Sequence, residues 1–263
     1  KSEVVRKVET FSGLSTRFLP THPMAGREIG GAGSARADLF QGRSWILTPS
    51  ADLAESSKKL VLELIQALGA TAVELPAPDH DRAVAKISHL PQIAASLVAK
   101  QLTGTPAEWM ELAGQGLRDT TRIAGSDESL WKEIIYSNRI ELRQLLINLQ
   151  NDLDSMINAL DDPSKIAELI AAGREGKAAI PGKHGGVARE YWYLPIVIDD
   201  KPGQLGSIFN ECAAMDVNVE DLIIEHSPGQ LSALITLALS QTDAEKLSAH
   251  LASIGWNVHP IRK

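Results

Sequence analysis

The chain carries a single cysteine, Cys212, in 263 residues. One thiol cannot build a disulfide framework, so a reducing compartment, the cytoplasm, is expected. Long apolar runs are also missing. The longest, such as YWYLPIVI at 191–198, fall far short of the roughly 20 residues that cross a bilayer. The opening KSEVVRKVET is charged throughout and has no apolar signal core, so no membrane partner is expected. Basic charge is in deficit: 26 Lys and Arg against 33 Asp and Glu give a formal net charge of −7. That argues against nucleic acid, whose phosphates need a basic surface. Repeats and low-complexity tracts are absent as well. His80 and His89 do not have the i, i+4 spacing of a helical zinc site, and with cysteine so scarce no metal is expected. The GGAG stretch at 30–33 is not a dinucleotide fingerprint. Gly31 and Gly33 fit G-x-G-x-x-G, but the third position is Arg36 and no strand precedes it.

What is present is the composition of a globular protein, 44% hydrophobic and long enough for roughly two domains. SEVVRKVETF at 2–11 has helical apolar spacing at Val4, Val5, Val8 and Phe11. SWILTP at 44–49 reads as a buried strand. The helix SADLAESSKKLVLELIQALG follows, with Ser50 as its cap, Leu60, Leu62, Ile65 and Leu68 as its apolar face, and Gly69 as its close. ATAVEL is then a strand, which completes a βαβ unit. From Asp79 to about Ala172 the pattern is helical throughout: 79–102, 106–124, 127–161 and 163–176 each read as one helix. The third bears Leu142, Leu145, Leu146, Leu149, Leu153 and Met156, a face expected to pack in a bundle or against a second subunit. KAAIPGKHGGVARE at 177–190 is a linker by composition. Residues 191–263 then alternate in the order βαββαβ, the ferredoxin-like unit, with a hairpin turn at SPGQ, 227–230. The expected fold class is thus an α/β remnant of a Rossmann domain (1–78), an all-α domain (79–176), the linker (177–190) and an α+β domain (191–263).

Four places can carry chemistry. His22, in THPMAGREIGGAG, reads either as a loop histidine bonding a carbonyl or as a general base. Imidazole titrates near 6.5 and takes a proton at neutral pH. Glu28 lies a short loop away. Arg118 and Arg122, four apart in GLRDTTRIAGSDESLW, share a helix face; Asp119 is spaced to hold Arg122, and a held arginine suits a carboxylate. The bland alternative is a solvated salt-bridged face. On 80–92, Asp81, Ser88 and Gln92 form a polar stripe that reads as cleft lining or as exposed surface, with His80 a cap residue and His89 a satisfied histidine. In the last domain, the DDKPGQLG turn bends the chain at Gly203 and Gly206 into a helix whose free N–H groups can seat a carboxylate.

Taken together, HPMAGRE, ILTP, HDRAVAKISHLP, LRDTTRIAGSD with Trp131 following, and the IPGKHGG linker resemble the prephenate dehydrogenase family of tyrosine biosynthesis, in the family's order over nearly the whole chain. DDKPGQLGSIFNECAAMDVNVEDLIIEH resembles an ACT domain, an amino-acid-binding regulatory module. The resemblance implies oxidative decarboxylation of prephenate to 4-hydroxyphenylpyruvate with NAD or NADP as hydride acceptor. It assigns His22 as the base, Arg122 as the grip on the ring carboxylate, Glu28 to the substrate gate, Trp131 to the neighbourhood of the site and Asp119 to the support of Arg122. Gln92 stands where many members carry histidine, which makes arogenate an alternative substrate. The resemblance further implies a homodimer through the helical domain, ACT pairing, and tyrosine as an inhibitor bound at Gly203, Gln204, Leu205 and Asn218. Family members begin with a Rossmann half holding the glycine-rich turn, and this chain starts after it. An amino-acid-sensing dimer without catalysis is the remaining alternative.

Overall fold

The structure is a computed structural model that describes residues 1–26, 33, 35–181, 190–226 and 231–263. It divides into two compact units, one made of Lys1–Thr103 with Thr120–Ser155, the other of Gly104–Asp119 with Met156–Lys263. Among the described residues no helix is long and apolar enough to cross a membrane.

The first unit opens with α1 (Ser2–Glu9) and a three-stranded sheet in the order β1 (Thr21–Pro23), β2 (Ser44–Leu47), β3 (Thr71–Glu74). β2 and β3 run parallel, as the βαβ pattern requires, with α2 (Glu55–Ala67) between them in sequence. Trp45, Ile46 and Leu47 are consecutive and all buried, so both faces of β2 are covered. β1 pairs antiparallel to β2 with His22 opposite Ile46, so His22 lies on a strand rather than in a loop. α2 starts later than its sequence suggests. Ser50 does not cap it but donates to the Ser15 carbonyl, and Ala54 takes the N-cap position. Ile65 is the core residue of that helix, whereas Leu60 faces outward, 68% exposed. Gly69 does close it, with φ +70°.

Residues 77–100 form α3 (Ala77–Val84), a π-helical turn (Ala85–His89) and α4 (Leu90–Lys100). Pro91 has no N–H for the Ile87 carbonyl four residues back, and its ring crowds that carbonyl, so the helix widens there. The expected helix over 106–124 is also divided, into α5 (Ala107–Met110), α6 (Gln115–Thr121) and a 3₁₀ turn (Arg122–Gly125). Gly114 lies in the first break and Gly116 in the helical turn after it, where a helix is costly to continue. The long helix of 127–161 breaks at Asn138 into α7 (Glu128–Ser137) and α8 (Arg139–Ala159). Asp127 caps α7 by accepting from Ser129 N at 2.8 Å and Leu130 N at 3.1 Å. On α8 Leu142 is buried, while Leu149, Leu153 and Ile157, four apart, are exposed in the single chain.

In the second unit, α9 (Pro163–Ala178) precedes a sheet domain in the order β4 (Trp192–Asp199), α10 (Gln204–Ala214), β5 (Asp221–His226), β6 (Ser232–Leu239), α11 (Gln241–Ser253), β7 (Asn257–Val258). The strand order β5–β6–β4–β7, antiparallel at each pairing, is the ferredoxin-like arrangement expected from the βαββαβ pattern. Leu194, Ile196, Ile235 and Leu237 on β4 and β6 meet Ile208 of α10 and Leu247 of α11 in its core. The SPGQ turn and most of the 177–190 linker lie outside the described residues; α9 extends to Ala178, over the linker's first residues.

Candidate active site

Four polar residues are buried among the described ones: Thr48, His80, His89 and Gln92. Three of the four belong to one site in the first unit. Burying such groups is costly unless they are bonded, so their partners define the site.

The network begins at α1. The main-chain nitrogens of Lys1 and Ser2, at the first turn of that helix, donate to the two carboxylate oxygens of Asp81 at 2.5 and 2.9 Å. A carboxylate is favoured there by the free N–H groups and the helix dipole. Burial pushes the Asp81 carboxyl up, but the hydrogen bonds from Lys1, Ser2 and His80 prevail and hold it well below the usual carboxylate range. Asp81 is therefore an acceptor only. Its neighbour His80, on the same turn of α3, places Nδ1 2.8 Å from Asp81 Oδ1, so Nδ1 carries the proton and donates. In neutral His80, Nε2 then holds a lone pair. His22 Nδ1 lies 2.8 Å from it and donates in turn. Nε2 of His22 is left with a lone pair, the arrangement of a base. Burial, and after it the repulsion that a protonated His80 would exert and the nearby Lys1, lowers His22 to about 4, so it is neutral and able to accept a proton at neutral pH.

His22 lines a cavity of about 380 Å³ together with Ser88, His89, Gln92, Ser126 and Trp131. The π-helical turn supplies Ser88 and His89; α4 supplies Gln92. Gln92 Nε2 donates to the Ile123 carbonyl at 2.9 Å and lies 3.4 Å from Ser96 Oγ. Both amide protons are directed at the protein, and the carbonyl oxygen is the atom left for a ligand. Trp131, on α7, meets His89 edge to face, with ring centroids 6.1 Å apart at 84°. Among the described residues no group of three His, Cys, Asp or Glu is placed to hold a metal ion.

The structure thus joins His22, Gln92 and Trp131 in one cavity. Arg122 is exposed and does not line it, although it opens the 3₁₀ turn that carries the lining residue Ile123 and is followed by Ser126, which also lines it. Arg118 and Arg122 do not share a helix face, because α6 ends at Thr121. Asp119, assigned to the second unit, accepts from Gln115 Nε2 at 2.8 Å, one turn back on its own helix. Glu28 lies outside the described residues. The polar stripe is divided: Ser88 and Gln92 line the cavity, whereas Asp81 is turned toward His80 and α1. His80 is a link to His22 rather than a cap. The signal for it was the His80–Asp81 pair at a helix start, but its meaning depends on residues 58 positions away.

In the second unit, Gly203 has φ +91° and opens α10, so the sharp bend is at Gly203, while Gly206 is an ordinary helical residue. The Gln204 N–H is bonded to the Lys201 carbonyl at 3.3 Å, and Leu205 and Gly206 follow in the first helical turn. Asn218 precedes β5 by three residues, and its amide donates to Glu220 Oε1 at 2.8 Å.

Folding lowers the proton affinity of His22, His80 and His89, in each case chiefly by burial. Between the ordinary imidazole value of 6.5 and the His22 value of about 4, the unfolded chain binds more protons than the folded one. Stability is then complete above that window and falls as the pH drops through it. Urea midpoints measured across the window should fall in the wild type and fall less steeply in His22→Asn. Equal slopes would contradict the buried, neutral His22.

Residues 1–74 match the family profile described as prephenate dehydrogenase, nucleotide-binding domain, and residues 76–171 match prephenate dehydrogenase, dimerization domain. The Streptomyces niveus protein named "Probable prephenate dehydrogenase NovF" is 30% identical over 249 residues, which cover 89% of this chain and 68% of that protein. Aquifex aeolicus prephenate dehydrogenase, solved in complex with hydroxyphenyl propionate and NAD+, aligns with a TM-score of 0.57 and 27% identity over 66% of this chain and 61% of that one. Synechocystis arogenate dehydrogenase aligns with a TM-score of 0.53 and 25% identity over 64% of each chain. The chain therefore spans about two thirds of the length of its relatives. With matching profiles over both of its first two segments, this chain belongs to the prephenate dehydrogenase family.

Proposed function

We propose that the protein oxidises and decarboxylates prephenate to 4-hydroxyphenylpyruvate. The observation that carries this reading is the Asp81–His80–His22 chain ending in a lone pair on a cavity of about 380 Å³, a size suited to a small cyclic acid. NAD or NADP supplies the hydride acceptor when bound. The parallel β2–α2–β3 unit fits a dinucleotide-binding half, but its β2-to-α2 connection, residues 48–54, contains no glycine, so a pyrophosphate-binding turn does not lie there.

The chain's own residues do the proton work. His22 Nε2 takes the proton of the ring hydroxyl as hydride leaves the same carbon. Loss of CO2 then returns an electron pair through the ring to that oxygen, which regains its proton as the ring becomes aromatic. Arg122, beside the cavity-lining Ile123, grips the ring carboxylate from the cavity's edge, and Glu28 serves the substrate gate. Trp131 walls the ring. Gln92 favours a second reading, arogenate: with both amide protons spent on Ile123 and Ser96, it offers an acceptor, which suits an ammonium better than a keto group.

We also read the chain as segments 1–78, 79–176, 177–190 and 191–263. The helical segment forms a homodimer, which the exposed Leu149, Leu153 and Ile157 support. The last segment is an ACT module that pairs with its partner's and binds tyrosine at Gly203, Gln204, Leu205 and Asn218. Its βαββαβ order and the left-handed Gly203 at the start of α10 support this. Coupling of that site to catalysis is typically about 1–3 kcal/mol.

In the protein with its complete nucleotide-binding domain, His22→Asn should lower kcat by roughly 10²–10⁴-fold with KM little changed. Arg122→Gln should raise KM by about ten- to a hundredfold. Gln92→His should shift kcat/KM toward prephenate over arogenate. A His22→Asn enzyme with near-wild-type kcat, or no turnover of either acid, sinks the reading, and an unchanged ratio removes the arogenate alternative. Calorimetric titration with tyrosine and phenylalanine should detect tyrosine binding; silence at millimolar concentration leaves residues 191–263 without the proposed effector.

A further inference from the structure

We propose that Asn138 is a positioning residue that holds His89 as its Nε2–H tautomer, so that His89 gives the cavity a hydrogen-bond donor where His22 gives it a lone pair. This rests on the reading of that cavity as the substrate site.

The amide of Asn138 has one orientation. Its Nδ2 lies 2.8 Å from the main-chain carbonyl of Asp81, which can only accept, so the NH2 group faces that oxygen. The same NH2 group lies 3.3 Å from His89 Nδ1. An amide nitrogen has no lone pair to offer, so Nδ1 is the acceptor and the ring proton resides on Nε2. His89 is a neutral ring for which this choice exists, because burial holds it below its ordinary value.

The anchor is well fixed. Asn138 sits at the break between α7 and α8 with φ −112° and ψ 22°, and its own N–H bonds back to Ile134 and Ile135 at 3.3 and 3.2 Å. His89 also meets the Trp131 ring edge to face. The two cavity histidines are therefore set in opposite senses. His22 is able to take a proton through Nε2. His89 donates through Nε2 to an acceptor oxygen of the bound acid and cannot compete as the base. Asn138 acts only through His89.

The test is a long-range ¹H–¹⁵N correlation spectrum of the chain labelled with ¹⁵N-histidine, above pH 7. The His89 signal is assigned by its loss in His89→Asn. The wild type should show the Nε2-protonated pattern, and Asn138→Ala should turn it into a mixture of tautomers. If Asn138→Ala does not fold, the wild-type spectrum still decides. In the complete enzyme, the carboxamide nitrogen of His89→Gln can take the place of Nε2, and KM should stay within about threefold of wild type. His89→Asn loses that donor and should raise KM about tenfold, with kcat less affected. A wild-type His89 protonated at Nδ1, or equal KM changes in the two variants, overturns the inference. The tautomer is read without substrate. Failure to turn over prephenate or arogenate would therefore strike the functional reading while leaving the tautomer result standing.

Discussion

Asp81 sets the ring protons of both cavity histidines. Its carboxylate accepts from Lys1 N, Ser2 N and His80 Nδ1, and its main-chain carbonyl accepts from Asn138. The first set runs through His80 to His22, the second through Asn138 to His89. A half-buried carboxylate is costly to desolvate, and charge-assisted bonds from a helix start offset that cost. The same bonds tie α1, in the segment that matches the nucleotide-binding profile, to α3, whose His80 orients His22. Removing the Asp81 carboxylate would leave its donors on Lys1, Ser2 and His80 without their shared acceptor.

The helices that build the cavity are interrupted where they meet it. The π-helical turn before Pro91 brings Ser88 and His89 to the lining, and the 3₁₀ turn at Arg122–Gly125 brings in Ile123, with Ser126 directly after it. The break at Asn138 frees a side-chain amide to bridge α3 and the π-helical turn. Irregular helix of this kind is common at functional sites, because a regular helix spends its main-chain groups on itself. Here the Ile123 carbonyl, which takes one local main-chain bond from Ser126 N at 3.2 Å, also accepts from Gln92 Nε2 and from Ser126 Oγ at 2.7 Å.

These interruptions also mark where reading the sequence stopped short. Apolar periodicity located the βαβ unit, the helical middle and the βαββαβ domain, because buried faces impose a period on the chain. His22, Gln92 and Trp131 were legible from their local words. The pairing of His22 with His80 was not, since it joins residues 58 apart and depends on β1, a three-residue strand with no pattern of its own. The helices of 106–124 and 127–161 read as continuous because their apolar spacing survives the breaks. Asp119 and Arg122 read as partners through helical spacing, yet α6 ends between them. Ser50 looked like a cap by residue type, but its hydroxyl is committed to Ser15.

The central claim is that the Asp81–His80 pair leaves His22 with its lone pair on Nε2. Neutron diffraction from a deuterium-exchanged crystal near pH 7 reads this directly. The account predicts deuterium on Nδ1 of both His80 and His22 and none on His22 Nε2. Deuterium on His22 Nε2, with Nδ1 bare, would contradict it.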